Sequence, residues 1–254
     1  MTQERRGVAL VLVLWIVVIL GGVSAGVVRS ARTSTSIAAN ARAEVVARAA
    51  AESGIEALVA SIEDTLSQLD DPSDRRDWLN ALGLSSAGDS ALLGDGRFSV
   101  TVVDVSARLD VNAATLSALQ VFFSQFTDPG EAAAIAARIR AHIGSDSMGL
   151  PASPLRSTPI RSLEELHLAR LVPDAVLTRA VPYLTVDGDG VINSRTASDT
   201  VLVAATGELR DEPSRLLLVS RGWVSGHPLT HEIQAVYAIT GNRLVFSHWR
   251  ERSL

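Results

Sequence analysis

Few residues in this chain have the types and spacing that chemistry requires, and the most suggestive are two histidines near the C-terminus. His227 and His231 are four residues apart, and Glu232 follows the second. On a helix, such a spacing puts both imidazoles on one face, where they bind zinc beside a glutamate general base. Pro228 interrupts the segment, however, and its neighbours favour a hairpin and a strand, which direct alternate side chains to opposite faces. We therefore expect no zinc site here.

A second candidate site is the run Asp187-Gly188-Asp189-Gly190, which is similar to the start of a calcium-binding loop. Its carboxylates would supply the hard oxygen ligands that calcium prefers. The glutamate that closes such a loop is missing, so a tight turn is the better interpretation. Asp187 and Asp189 are the only candidate metal ligands, and calcium is the only cofactor that the sequence suggests.

The remaining composition argues against an enzyme and against a nucleic-acid-binding protein. The sequence has no Ser/His/Asp order, glycine-rich phosphate loop or strand-turn nucleophile, and we predict no catalytic residues. Cysteine is absent, which excludes a disulfide framework and thiolate zinc sites. The formal net charge is −5, whereas nucleic-acid-binding surfaces are normally basic.

The elements that position these residues begin with an apolar segment near the N-terminus. Arg5 and Arg6 precede Gly7, and residues 8–28 follow without a charge. As a helix this segment is about 31 Å long, which matches the hydrocarbon core of a bilayer. Three interpretations are open: a membrane anchor, a cleaved export signal, and a helix that assembles with other helices and uses the membrane for storage.

Helical character continues through residues 29–69, which contain no proline and are dense in alanine. We predict one helix of about 60 residues that starts in the membrane and ends against a soluble head. Two helices with a break near Gly26 or Ser34 are the alternative. The far end carries one apolar stripe, formed by Ile55, Leu58, Ile62, Leu66 and Leu69.

The head is predicted from one early strand and three late ones. After a short helix at 74–84 and a loop at 85–96, a strand is expected at 97–105. Runs rich in β-branched and aromatic residues, separated by hairpin signals, predict three more strands at 215–224, 230–239 and 243–249. We expect these strands to share an antiparallel sheet that packs on the long helix.

The middle of the chain has a different, helical character. Helices are predicted at 113–126, 131–143, 163–171, 175–181 and near 197–205, with a loop at 144–159. The predicted fold class is therefore α+β, with a long N-terminal helix packed on an antiparallel sheet and a large helical insertion. The predicted segments are 1–7, 8–28, 29–69, 70–105, 106–213 and 214–254.

The insertion contains an internal repeat. Residues 109–119 align with residues 192–202 and share an aliphatic start, a short polar residue, an alanine and a closing leucine. Short polar side chains can bind the free N–H groups at a helix start, so helix capping is the simplest explanation of the repeat.

The N-terminal segment resembles a type IV prepilin leader. In that family a membrane peptidase cuts after the glycine, here Gly7, and methylates the new N-terminal residue, here Val8. Most members carry a glutamate a few residues into the apolar run, but residues 9–16 contain only Ala, Leu, Val, Trp and Ile. This departure is typical of one subtype, the K-type minor pseudopilin of type II secretion systems.

The repeat carries a second resemblance to the same subtype, whose insertion has a paired aliphatic-Asn-x-Asn-Thr-Ala signature opening two helical units. Asp110, Ala113 and Arg195 depart from it. The segment 162–166, followed by the segment 182–186, also resembles the family's run before its second unit. The matching residues are Asn112, Ala114, Asn193, Thr196 and Ala197.

The resemblance implies a pilin-like fold and a place at the tip of the type II secretion pseudopilus, where the protein would initiate or cap assembly and support export. It implies as partners the I-type and J-type minor pseudopilins, the major pseudopilin, the prepilin peptidase, the inner membrane and secreted substrates, but no nucleic acid. The N-terminus would be cytoplasmic and the head periplasmic. The alternative is a single-pass inner-membrane protein with a periplasmic interaction domain.

A competence-type DNA receptor is a further alternative, because its helix-hairpin-helix modules open in a similar way. Such modules need a glycine-containing hairpin whose N–H groups meet phosphate. After Leu119 this chain has no glycine until Gly130, and Glu131 follows it. We therefore do not expect DNA binding.

Overall fold

The N-terminal quarter of the chain forms one long helix. The computed structural model describes residues 4–83, 90–144 and 159–253, with side chains from residue 13 onward except at 25 and 26. Helix α1 (Glu4–Gln68) runs through the apolar segment and the alanine-rich region without a break. The prediction of a single long helix is confirmed, and the two-helix alternative is wrong. Helix α2 (Pro72–Gly83) follows, since proline cannot continue α1 but suits a helix start.

An antiparallel sheet lies against the second half of α1. Within the described residues its strands are β1 (Ala91–Leu93), β2 (Gly96–Asp104), β7 (Arg215–Val224), β8 (Thr230–Thr240) and β9 (Arg243–Ser253). They lie side by side in the order β1-β2-β7-β8-β9. The four predicted strands are present with small changes at their ends.

The loop predicted at 85–96 is partly wrong. Residues 91–93 form β1 and pair with β2 across a turn at Gly94, whose φ of 58° lies in the left-handed region that favours glycine. All three residues of β1 are exposed, so the sequence has no alternation there that would predict a strand. Residues 85–89 of that loop lie outside the described residues.

The insertion leaves the sheet after β2 and returns at β7, its neighbour in the sheet. Its helices follow the predicted order, and the short strands between them form two parallel pairs, β3 with β4 and β5 with β6, which the sequence did not predict. Most of the loop predicted at 144–159 lies outside the described residues. The elements are β3 (Leu109–Asp110), α3 (Leu116–Phe123), α4 (Pro129–Ile143), α5 (Glu164–Leu168), α6 (Asp174–Ala180), β4 (Leu184–Thr185), β5 (Ile192–Asn193), α7 (Asp199–Ala204) and β6 (Leu209–Arg210). This architecture confirms the predicted fold class.

The head and the insertion each have their own hydrophobic core. The head core joins the apolar stripe of α1 to the inner face of the sheet, through Ile62, Leu66, Leu216, Leu218 and Ile233, all with at most 1% of their surface exposed. The insertion core is built on the helices, with Phe122, Phe123, Ile135, Ile139 and Leu166 fully buried. The chain therefore folds as two packed units that share covalent links and polar contacts.

The two ends of the insertion are held together by a pair of buried serines. The hydroxyl oxygens of Ser106 and Ser214 are 2.8 Å apart, and the backbone N–H of Ser214 donates to the Ser106 hydroxyl oxygen at 3.0 Å. Ser106 follows the strand where the insertion leaves the sheet, and Ser214 precedes the strand where it returns. Their hydrogen bonds therefore hold the two connecting segments together at the base of the insertion.

Helix α1 approaches the sheet most closely at a glycine on β7. A Cβ atom added at Gly222 would lie 2.6 Å from the Ala51 backbone nitrogen and would also overlap the Ala47 carbonyl. On the helix side, Gly54 is equally confined, since an added Cβ would lie 2.6 Å from the Ser220 hydroxyl. Small residues on both surfaces therefore set the distance between helix and sheet.

We predict that Gly222→Ala lowers the free energy of unfolding by about 1–3 kcal/mol, because the new methyl group meets helix backbone that cannot move away alone. Chemical unfolding of the full chain in detergent measures the change. Gly21→Ala is the control, since nothing lies within 4 Å of its added Cβ. Equal effects of the two substitutions would show that the helix and sheet are not held at this contact.

Candidate functional site

The first candidate site, at the C-terminal histidines, consists of a hairpin turn with His227 and a strand with His231, as predicted. His231 and Glu232 lie next to each other on β8 and face opposite sides of the sheet. His231 Nε2 is 3.3 Å from Glu251 Oε2, whereas His227 Nε2 is 3.3 Å from the Asn40 side-chain oxygen. The three residues therefore do not converge on one point and cannot form the zinc site that their spacing suggests.

Glu232 instead occupies the centre of an ion-pair ladder across three strands. Arg221 on β7 and Arg252 on β9 are its register partners, and their guanidinium groups donate to its carboxylate at 2.7 and 2.8 Å. The Glu232 side chain is only 1% exposed. Burial raises its pKa, but hydrogen bonds from Arg221 and Gln234 and the two positive charges outweigh burial, and the pKa is lowered. The ladder ties the last three strands together.

The internal repeat adopts the same local structure twice. Each unit begins with a two-residue strand. The side chain of the strand's last residue accepts a hydrogen bond from the backbone N–H of the residue two positions later. Those contacts are Asn112 to Asp110 at 2.9 Å and Arg195 to Asn193 at 3.1 Å. A backbone hydrogen bond then closes each unit: the Ala114 N–H donates to the Asp110 carbonyl in the first unit, and the Ala197 N–H donates to the Asn193 carbonyl in the second. The repeat is therefore structural.

The helix caps of the repeat lie one residue further along than its signature. Thr115 precedes α3 and accepts from the Ala118 N–H at 3.2 Å, and Ser198 holds the equivalent place before α7 without such a bond. The residues predicted to open the helices therefore form the turn that leads into each cap. Their side chains are free to make contacts elsewhere in the molecule.

In the first unit, Asn112 fastens the turn to two distant backbone segments. Its amide group donates to the Ile160 carbonyl at 2.9 Å and to the Val186 carbonyl at 3.3 Å, and its side-chain oxygen accepts from the Ile160 N–H at 2.9 Å. These contacts all stay within the insertion. They hold together the segments on either side of α5 and α6.

In the second unit, the signature residues join the insertion to the head. The Asn193 amide donates to Asn80 on α2 and to Asp104 at the end of β2, both at 2.8 Å, and the Thr196 hydroxyl donates to Asp104 at 2.6 Å. Asn193 is fully buried, and Asn80 and Asp104 are at most 6% exposed. We call these four residues the joint.

Asn80 and Asp104 were not predicted as site residues. Each is one of several polar residues in its helix or strand, and only the fold brings them to Asn193. The one available signal was the position of Asp104 at the end of a predicted strand, immediately before the insertion.

The two candidate calcium ligands are bound to other parts of the protein. Asp187 is 7% exposed, and its carboxylate accepts from Arg250 at 2.7 Å and lies 3.0 Å from His248 Nε2. Asp189 accepts from the Ser214 hydroxyl at 3.0 Å and the Val191 N–H at 3.1 Å. Across residues 4–83, 90–144 and 159–253, no three His, Asp or Glu side chains are grouped to hold a metal. Calcium would have to displace these protein partners, and its binding stays a prediction.

Asp110 lies near Asp187, and its surroundings disfavour the ionised form of its carboxyl group. Burial raises its pKa and the nearby Asp187 carboxylate adds to the rise, whereas hydrogen bonds from the Asn112 and Ala113 N–H groups and the charge of Arg215 oppose it. The net shift is upward. At the equivalent position of the second repeat unit, Asn193 makes the same turn without a charge.

The other candidate region is the first half of α1. From residue 13 to residue 42 every described side chain is exposed, including Trp15 at 63%. By length and hydropathy this part of the helix could cross a membrane. Gly7 and Val8 lie in the first turns of α1, where the structure describes the backbone alone.

Comparison with known proteins finds a likeness to a solved structure. No protein-family model matches the chain, and no curated protein sequence matches it. The fold is similar to a chain in the crystal structure of the GspK-GspI-GspJ complex from the type 2 secretion system of enterotoxigenic Escherichia coli. The TM-score is 0.47 and the identity 14%, and the alignment covers 76% of this chain and 94% of that chain.

We predict that Asn193→Ala lowers the free energy of unfolding by about 1–3 kcal/mol, because the buried Asn80 and Asp104 side chains each lose a hydrogen-bond donor. Arg195→Ala is the control two residues away, since it removes only the exposed pair with Asp77, worth less than about 1 kcal/mol. Urea unfolding measures both. The joint would carry little stability if the two variants behaved alike.

We predict that Asp110→Asn stabilises the protein at neutral pH. Because the pKa of Asp110 is raised in the folded state, the ionised carboxylate opposes folding. The wild type therefore loses stability as pH rises from about 4, the ordinary pKa of aspartate, through the higher pKa of the folded state. Asparagine keeps the acceptor for the Asn112 N–H. Melting temperatures of both proteins across this pH range should diverge as pH rises; a constant difference would show that ionisation is not the cause.

Proposed function

We propose that this protein is a minor pseudopilin of the K type, which initiates or caps a type II secretion pseudopilus and supports export across the outer membrane. The observation that carries the proposal is the division of α1. Its first half is exposed and begins with an apolar run that ends at residue 28, and its second half buries one stripe of residues against the head. This division suits a subunit that moves from a lipid bilayer into a helical fibre.

The exposed half of α1 requires a partner. Apolar side chains in contact with water cost about 25 cal/mol per Å² of surface, and consecutive valine, leucine and isoleucine residues expose a large area at Val13–Leu20. Lipid covers such a surface when the subunit is stored in the inner membrane. Neighbouring helices, from the I-type and J-type minor pseudopilins and the major pseudopilin, cover it in the fibre.

The leader motif supports processing by the prepilin peptidase. Arg5 and Arg6 ahead of Gly7 favour a cytoplasmic N-terminus, which leaves the head in the periplasm. The peptidase would cut between Gly7 and Val8 and methylate Val8. The chain would then begin with the apolar segment itself.

The lack of an acidic residue in 8–28 supports a place at the tip. In pilin-like fibres a buried glutamate is thought to pair with the N-terminal amine of a neighbouring subunit, because an unpaired charge in an apolar medium is costly. A subunit at the tip has no subunit above it whose amine needs a partner. The insertion, which has its own core, would occupy the space where such a subunit would otherwise sit.

Mass spectrometry of the protein purified from cells with an active prepilin peptidase tests the proposal. We expect a chain that begins at N-methylated Val8, and Gly7→Leu should leave the chain uncut. Gly21→Ala is the matched control and should still be processed. An intact N-terminus in the wild type would instead favour a single-pass inner-membrane protein with a periplasmic interaction domain.

A further inference from the structure

A polar stretch of α1 separates its apolar run from the head. Residues 29–42 follow the last residue of the run and end just before Ala43, where the buried stripe of the helix begins. At 1.5 Å per residue this stretch is about 21 Å long. All of its side chains are exposed. We call residues 29–42 the linker.

The linker carries positive charge and no acidic residue. Its charged residues are Arg29, Arg32 and Arg42. Arg42 donates to the Asp95 carboxylate at 3.1 Å, so its partner is in the head. The nearest acidic residue further along the helix is Glu44, about 18 Å beyond Arg32. Within the part of the chain that the structure describes, no carboxylate lies within ion-pair distance of Arg29 or Arg32.

Three hydroxyl groups near the two arginines are bonded within the helix. Each donates to the backbone carbonyl four residues earlier, an arrangement common for serine and threonine in helices. These hydroxyls therefore do not need water or a ligand as a partner, and the guanidinium groups are the charged donors that this part of the helix presents. The bonds run from Thr33 to Arg29 at 3.0 Å, from Thr35 to Ala31 at 2.9 Å and from Ser36 to Arg32 at 3.0 Å.

Both arginines fall at the depth of lipid headgroups when residues 8–28 span a bilayer. The headgroup layer on each side of the hydrocarbon core is about 5–7 Å thick. Arg29 lies about 1.5 Å beyond the last residue of the apolar run, and Arg32 about 6 Å beyond it. Helical side chains tilt toward the N-terminus, which here is toward the bilayer, and residues three apart share a face. The two guanidinium groups therefore reach one patch of the headgroup layer.

Phosphate is the acceptor that the headgroup layer supplies at this depth. A guanidinium binds phosphate through two parallel hydrogen bonds, and its charge strengthens them. Arg29 and Arg32 carry two positive charges that no acidic side chain balances, so they attract lipids with a net negative charge. A zwitterionic lipid is attracted less, because its own cation lies beside its phosphate. The charge of the linker therefore favours an anionic phospholipid.

We propose that Arg29 and Arg32 bind the headgroup phosphates of anionic phospholipids in the leaflet that faces the head. The inference rests on the membrane placement of residues 8–28 that is part of the proposed function, but not on a place in a fibre. Bound phosphates set the depth of the apolar run in the bilayer. The subunit must release them when it leaves the membrane.

A fluorophore placed between the two arginines tests the proposal in the full chain. The chain has no cysteine, so Ser30→Cys gives a single labelling site. The labelled protein is reconstituted in phosphatidylcholine vesicles that contain a small fraction of phosphatidylglycerol or phosphatidylcholine with a nitroxide quencher near its headgroup. We expect phosphatidylglycerol to quench about 5-fold more strongly at equal concentration, the factor that one arginine gains at an anionic surface. Equal quenching by the two lipids would overturn the proposal.

Substitutions locate the binding. Replacing both residues, as Arg29→Gln with Arg32→Gln, should remove the preference for phosphatidylglycerol. Lysine at both positions should keep part of it, because lysine retains the charge but not the fork. Arg42→Gln is the matched control, since Arg42 lies in the same linker but is paired with Asp95 and is about 21 Å beyond the apolar run. A loss as large in the control as in the double glutamine variant would contradict the site.

Two further measurements separate the remaining outcomes. Inorganic phosphate, exchanged for chloride at constant ionic strength, should leave the lipid preference unchanged. A preference that disappears in phosphate would show a site for the free ion and would overturn the lipid assignment. Extraction of the vesicles with alkaline carbonate shows whether the chain is inserted. An inserted chain without a lipid preference overturns this inference alone, whereas a chain that is not inserted overturns the membrane placement as well.

Discussion

The structure depends on the close approach of α1 to the centre of the sheet at Gly222. Because no side chain stands between that strand and the Ala47–Ala51 turn of the helix, the backbones nearly touch. This contact fixes where the helix lies across the sheet. It also fixes where the exposed half of the helix begins, since the small buried residues start at Ala43. A long helix that projects from a compact head needs one firm point of attachment, and this contact provides it.

The insertion is attached by a different kind of interaction. Its own core is apolar and complete, whereas the joint is a set of buried polar groups that satisfy one another. Buried hydrogen bonds are directional and unfavourable when broken, so they specify orientation better than apolar contacts do. One repeated turn serves both purposes: Asn112 fastens the insertion internally, and Asn193 fastens it to the head. The repeat is therefore a folding unit used at two places.

The parts of this fold that follow from local sequence were predictable. An apolar run, dense alanine and a 3–4 spacing predict α1, and alternation with hairpin signals predicts β2 and β7–β9. The joint was not predictable, because Asn193 lies 113 residues from Asn80 and 89 residues from Asp104, and no local pattern couples them.

The division of α1 fits the two surroundings that the proposed function requires. A lipid bilayer and a bundle of apolar helices are both media without water, so residues 13–24 would lose little on a move from one to the other. An acidic side chain in that segment would need a partner in each medium. Without one, the segment would be able to leave a membrane without first finding a charge to pair with. The head then determines where the helix stops, because the buried stripe that begins at Ala43 is already occupied by the sheet.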